Sequence, residues 1–271
     1  MSKQFWPALA VIALLPLACA SADFAAVKPT PRVEYWETRL RQISDYAANR
    51  ASLPQVKLLF VGDSITDFWL LDDNPWVKGQ KFGRRVWNES FNSAGSANFG
   101  LNVGISGDRT EHVLYRLLPS SKGGIGQIDA PELDPEFIVL MVGINNTWAP
   151  EEPVQDSVFE GASAVVRALE ERKPRARIIL QSLLPLAEAA KNRDIVRPVN
   201  VRLQSLAASR PAKCILYLDL YSSFVERTGD QIGRYFNDGI HPNEAGYRVW
   251  RDQLVAFLDV ARKSSGATQC Q

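Results

Sequence analysis

The stretch VKLLFVGDSITDFW, residues 56–69, decides how the chain is read. Its first half is almost continuously apolar and rich in β-branched and aromatic side chains, which suits a strand covered on both faces rather than a half-exposed one. The run then breaks into Gly62, Asp63 and Ser64. A serine placed just past the carboxyl end of a buried strand stands where open α/β sheets bind their ligands.

Four more runs share this character: 99–105 (FGLNVGI), 137–143 (FIVLMVG), 177–184 (RIILQSLL) and 214–220 (CILYLDL). Helical periodicity fills the gaps at 110–118, 154–172, 192–209 and 243–262, with Pro198 marking a kink or boundary in the third. Strands alternating with helices predict an α/β three-layer sandwich, a parallel sheet between two helix layers. No internal repeat and no linker rich in Pro, Gly or Ser divides the chain.

At 271 residues and 46% apolar composition the chain supports one sizeable core. Thirty-one basic residues balance thirty acidic ones, and no basic run occurs, so charge gives no reason to expect nucleic acid as a partner. The N-terminus reads as an export signal over residues 1–20: Lys3, a short apolar stretch at 8–17, and small residues for cleavage after Ala20 or Ala22. The apolar stretch is too short for stable membrane insertion. Lipidation at Cys19 is the competing reading, although Pro16 and Leu17 fit a lipoprotein signal poorly. A secreted or periplasmic location follows. Residues 21–55 form an N-terminal extension with a helix, 56–262 the main domain and 263–271 a tail. In an oxidising compartment Cys214 and Cys270 either pair, if the last helix returns to the start of the fifth strand, or remain two separate thiols.

The loops after the runs carry the chemistry. They hold Ser64, the group Gly104-Ile105-Ser106-Gly107-Asp108, the group Gly143-Ile144-Asn145-Asn146, and a late loop FNDGIHPNEAGY at 236–247. A serine hydroxyl needs an imidazole to take its proton, and the imidazole needs a carboxylate to hold its tautomer. Ser64, His241 and Asp238 can fill these roles. The backbone N–H groups of Ser64 and Gly104 and the side-chain amide of Asn145 are candidate donors to a developing oxyanion. Asp238 with His241 could instead be a metal pair, but the chain has two histidines and no second ligand cluster. No motif calls for a cofactor. Asp108 is read as the N-cap of the helix at 110–118, with Glu111 completing a capping box and His112 structural.

The blocks FVGDSITDFW, NVGISGDRT, VGINN and DGIHPNEAGY, in this order, resemble those of the GDSL or SGNH hydrolases. Within that family, GISGDRTEHVLYRL and GINN are most similar to the branch of platelet-activating-factor acetylhydrolase catalytic subunits and their bacterial relatives. The resemblance implies a flavodoxin-like sheet of five parallel strands in the order 2-1-3-4-5. It also implies a Ser64, His241 and Asp238 triad, with Gly104 and Asn145 beside Ser64 in the oxyanion hole. A departure is the long segment 67–98 between Ser64 and the second strand.

That segment and the Asn145 loop carry Trp69, Trp76, Trp87 and Trp148, whose indole faces can pack on sugar rings while Asp72, Asp73 and Asn74 bond hydroxyls. The alternative is that some of these rings merely anchor the loop. Trp69, Trp76, Trp148, Asp63 and Arg109 are the candidate substrate-binding residues. Export, aromatic loops and the acetylhydrolase resemblance together predict a secreted esterase that releases acetyl groups from a carbohydrate or other small ester. A lipid esterase, lysophospholipase or thioesterase of the same family is the second reading, and a non-catalytic carbohydrate-binding protein the third.

Overall fold

The computed structural model of the chain describes residues 23–32, 35–210, 214–264 and 270. The signal segment and Cys19 lie outside these residues. Helix α1 (Tyr35–Ala48) precedes β1 (Leu58–Gly62), which leads into the short α2 (Ser64–Asp67). The long segment that follows contains α3 (Arg84–Ser90) and enters β2 (Gly100–Asn102); α4 (Thr110–Leu117) then leads to β3 (Phe137–Met141). After α5 (Val154–Arg172) come β4 (Arg177–Gln181), α6 (Ala189–Lys191), α7 (Arg197–Ala208), β5 (Ile215–Leu218) and α8 (Glu244–Lys263). A π-helical turn, Asn192–Val196, joins α6 to α7, and Pro198 sits in the first turn of α7.

The five strands form one parallel sheet in the order β2-β1-β3-β4-β5, as the motif resemblance implies. Every residue of β1 and of β3 is buried, the expected outcome for strands with helices on both faces. Each strand is shorter than its apolar run because the run continues into the buried loop beyond the ladder: Val103 and Ile105 after β2 and Leu183 and Leu184 after β4 are fully enclosed. Helix α8 buries Tyr247, Trp250, Leu254, Leu258 and Ala261, one stripe at helical spacing, and its first turn is capped by Asn243, whose side chain accepts from the Gly246 amide.

Trp69 and Trp87 belong to this packing. Trp69 is 0% exposed, its ring 4.5 Å from Tyr247 and 5.1 Å from Trp250, while Trp87 lies 5.0 Å from Phe60 of β1. The long segment is therefore anchored by an aromatic cluster under α8. Trp69 is corrected from a cleft residue to a core residue.

The N-terminal extension is tied to the sheet by buried polar contacts. Arg39 of α1 donates through Nε to Asp67 Oδ1 at 2.8 Å and through Nη2 to the Asn102 carbonyl at 2.9 Å, and Tyr35 donates to Asp67 Oδ2 at 2.8 Å. Cys214, at the entrance to β5, is bonded to Cys270, with the Cα atoms 5.4 Å apart. The pairing closes the end of the chain onto the sheet, as the first of the two cysteine readings has it.

Candidate active site

Ser64 opens α2 directly after β1, and Asp63 is the N-cap: its Oδ1 accepts the Ile65 amide at 3.0 Å. Asp63 is fully buried, so it serves the turn and does not face a substrate. Gly62 is required for space. A Cβ there would stand 2.2 Å from Thr66 Oγ1 and 2.4 Å from the Met141 carbonyl oxygen, so a side chain would push α2 off the sheet.

The turn at 238–241 arrives from the other end of the chain. Asp238 Oδ1 accepts the amides of Ile240 at 3.0 Å and His241 at 2.8 Å, while Oδ2 stands 2.7 Å from His241 Nδ1. Gly239, at φ +81°, supplies the left-handed residue this tight turn requires. His241 Nε2 lies 2.8 Å from Ser64 Oγ. Partial burial pushes the Asp238 carboxyl up, but the hydrogen bonds from the His241 ring and amide outweigh it and hold the group at about 2. An ionised carboxylate only accepts, so Nδ1 carries the proton and Nε2 is left to accept from the serine hydroxyl. Both imidazole nitrogens are thus engaged by protein groups, and the pair is not arranged as metal ligands. The Phe68 ring, 4.9 Å from the imidazole, supports its other flank.

The oxyanion donors differ from those read in the sequence. The Gly104 amide donates to Asn102 Oδ1 at 2.8 Å inside the protein and is not free for a ligand. Glycine is needed at 104 because a Cβ would stand 2.7 Å from the Asp67 nitrogen and 2.8 Å from Thr66 Cβ. Three residues on, Gly107 adopts φ +79° and is half-buried, and among the described residues neither its amide nor that of Ser64 has a hydrogen-bond partner. Asn145, in the 3-10 turn after β3, donates one Nδ2 hydrogen to the Asp108 carbonyl at 2.8 Å, which ties it to the Gly107 turn; its second N–H has no partner among the described residues. The signal for Gly107 was present in GISGD, whose second glycine occupies the tip of a turn.

Asp108 is not a helix cap. It is fully buried and held by Arg116 and Arg32, and the capping residue is Arg109, whose amide donates to His112 Nδ1 at 2.9 Å. Glu111 bonds Asn146 Nδ2 instead. His112 is structural, as its place in the motif suggested. The Arg109 guanidinium stays near Glu111, 3.8 Å away.

Of the aromatic candidates, Trp76 is 68% exposed and packs at a tilt with its ring 5.6 Å from Phe68, which places it one ring removed from His241. Trp148 is 42% exposed at the end of the Asn145 turn, with Lys191 Nζ 3.8 Å over its ring. Asn74 organises the loop by accepting the Trp76 and Val77 amides, and Lys81 binds Asp73 at 2.5 Å and Asp72 at 3.5 Å. A shallow cleft of about 360 Å³, lined by Gln80, Lys81, Phe236, Asn237 and Glu244 among others, takes in residues on either side of the 238–241 turn.

Comparisons with known proteins give the family and the fold. Residues 60–249 match the model of the GDSL-like lipase/acylhydrolase family. The human platelet-activating factor acetylhydrolase IB subunit alpha2 is 31% identical over 195 residues, 70% of each chain. A GDSL-like lipase from Bacteroides thetaiotaomicron superposes with a TM-score of 0.57 at 22% identity, covering 82% of this chain and 99% of that one. A carbohydrate esterase family 3 protein from Talaromyces cellulolyticus gives 0.52 at 18%, covering 78% and 100%. The two structures establish the shared fold, and the family model with the human relative establishes the family: the chain belongs to the GDSL-like lipase/acylhydrolases and is a carboxylic ester hydrolase.

Proposed function

We propose that the protein is an exported serine esterase that removes short acyl groups, acetyl foremost, from carbohydrate hydroxyls. The observation that carries the mechanism is the unbroken run of hydrogen bonds from Ser64 Oγ through His241 to Asp238. His241 Nε2 takes the hydroxyl proton as Ser64 Oγ attacks the ester carbonyl, and Asp238 stabilises the imidazolium that forms. The oxyanion is received by the amides of Ser64 and Gly107 and by Asn145 Nδ2, donors already in place before the charge develops. His241 then gives its proton to the departing alcohol, leaving an acyl-Ser64. Water, deprotonated by the same imidazole, releases the acid and restores the serine.

Three observations support the substrate class. The exposed indole of Trp76 stands one ring from His241 through Phe68, and an exposed aromatic face beside the site suits a hydroxylated ring. The relatives named acetylhydrolases point to acetyl as the acyl group. The same fold carries a carbohydrate esterase in Talaromyces cellulolyticus. The Cys214–Cys270 bond fits the exported location that residues 1–22 suggest.

Acetate release from a panel of acetylated polysaccharides and simple sugars, set beside acetyl and octanoyl p-nitrophenyl esters, tests the reading. Acetate should come from at least one saccharide, and the acetyl ester should be the faster of the two. Preference for octanoyl, or for platelet-activating factor, the substrate named in the relatives, would favour the lipid alternative. Ser64→Ala and His241→Ala should each lower kcat by about 10⁴-fold or more. An inactive wild-type protein that binds saccharides would leave the non-catalytic reading.

A further inference from the structure

We propose that Arg32, which the N-terminal extension lays against the Gly107 turn, is a positioning residue for the oxyanion-binding amides and adds a positive charge beside them. The inference rests on the serine-esterase reading above. It concerns a residue outside the family-matched span of 60–249.

Arg32 Nη1 donates to the Ser106 carbonyl at 2.9 Å and to Asp108 Oδ1 at 3.0 Å, so one nitrogen bridges the residues on either side of Gly107. The guanidinium also covers Gly107 itself. A Cβ built there would stand 2.9 Å from Nη2, which puts that nitrogen within about 5.5 Å of the Gly107 amide nitrogen, given standard backbone geometry. Gly107 therefore meets two requirements at once, a left-handed φ and room for the arginine.

The charge balance follows from the second partner of Asp108. Arg116 Nη2 binds Asp108 Oδ2 at 2.8 Å, and both of these side chains are fully buried. A second buried carboxylate, Asp67, accepts the Ser106 amide at 3.0 Å through Oδ2 and is matched by Arg39 at 2.8 Å. With Asp108 matched by Arg116 and Asp67 by Arg39, the charge of Arg32 is left in excess at the Gly107 turn. The Arg32 side chain is 26% exposed, so water screens it only in part. Its segment is fixed before any substrate arrives: the Thr30 amide donates to the Glu111 carbonyl at 3.1 Å, and Thr110 Oγ1 donates to the Ala26 carbonyl at 2.8 Å.

As the ester carbon becomes tetrahedral its oxygen gains a full negative charge, which the ground-state carbonyl lacks. A held amide and a nearby cation are therefore worth more in the transition state than in the bound substrate, and the effect falls on kcat.

The test compares Arg32→Met, Arg32→Gln and Arg32→Lys with Ser64→Ala in the full chain, reading kcat and KM on p-nitrophenyl acetate and the thermal midpoint. Arg32→Met should lower kcat about 10- to 100-fold with KM within about twofold, and its midpoint should remain near the wild type. Arg32→Lys should recover a substantial part of that loss, and the uncharged Arg32→Gln less. Reaction of Ser64 with an organophosphonate, whose anionic oxygen occupies the oxyanion position, should slow in parallel with kcat. An Arg32→Met kcat within about twofold of wild type would overturn the proposal, as would a loss confined to KM. Should Arg32→Met fail to fold, the Lys and Gln variants decide, and equal kcat values for these two would also overturn it. Activity remaining in Ser64→Ala would instead defeat the serine mechanism itself.

Discussion

Arg116 and Asp108 form an ion pair with both side chains fully buried, Nη2 to Oδ2 at 2.8 Å, directly behind the Gly107 turn. Arg116 also donates to the Val103 carbonyl at 2.7 Å and to Gln127 Oε1 at 2.6 Å, so it fastens α4 to the end of β2. Removing one member of such a pair leaves the other charge without its counterpart, at a cost of about 3–5 kcal/mol. Arg116→Met should therefore lower the urea midpoint sharply while the m-value stays constant. A stability change under about 1 kcal/mol would show that Arg32 alone can hold Asp108.

Asp63 has the opposite defect, a carboxyl with too few partners. Burial pushes it up to about 7, against the opposing bond from the Ile65 amide, and its Oδ2 has no hydrogen-bond partner among the described residues. Between pH 3.8 and about 7 the folded protein thus holds a proton that the unfolded chain has released, so this residue makes stability fall as pH rises across that window. Asp63→Asn keeps an oxygen for the Ile65 cap and cannot ionise. The stability difference between Asn variant and wild type should move in favour of Asn by about 1.4 kcal/mol per pH unit. Urea midpoints at several pH values measure it, and parallel curves would refute the assignment.

His112 titrates with the other sign. Burial, reinforced by the charges of Arg32, Arg109 and Arg116, holds its imidazole down at about 3. As pH falls from 6.5 toward 3 the unfolded chain gains a proton there that the folded protein refuses, and stability is lost. Glutamine at this third helical position can still accept the Arg109 amide, as in a capping box. His112→Gln should flatten the acid limb of the stability curve and keep kcat within about twofold of wild type, unlike any change at His241. Comparable kcat losses at the two histidines would contradict the division of roles.

Trp76 supplies the check on substrate contact. Trp76→Ala should raise KM for an acetylated saccharide by about 2- to 13-fold, the equivalent of about 0.5–1.5 kcal/mol of aromatic contact. Turnover of p-nitrophenyl acetate, which has no sugar ring, should change by less than about twofold. Equal effects on both substrates would mean the ring merely supports Phe68 and His241.

The residues where sequence and structure part company share one cause. Trp69 and Trp87 lie in the long segment after the nucleophile, which by sequence reads as a cleft loop; the structure puts Trp69 in a 3-10 turn and Trp87 in α3, and only the convergence of α3 and α8 with β1 encloses them. Gly104 and Gly107 are equivalent as letters in GISGD, but the Asn102 side chain claims the first amide and a left-handed φ exposes the second. Asp108 has the composition of a cap, yet Arg116, eight residues on, and Arg32, 76 residues back, draw it inward. Each outcome depends on a partner from another element, and no local pattern records it.

What the sequence by itself determined is everything carried by local period and motif: five strands from continuous apolar runs, the helices between them, and Ser64, Asp238 and His241 as candidate reacting groups, which the structure brings within hydrogen-bond distance of one another. These follow because burial on both faces of a parallel sheet, and the three-residue step of an acid and its imidazole, are written in neighbouring residues. Only the tertiary structure decided which amides remain free, which tryptophans meet solvent, and that Arg32 of the N-terminal extension stands over Gly107. Those properties come from the competition of distant groups for the same hydrogen bonds and the same space, and the competition is settled when the layers close.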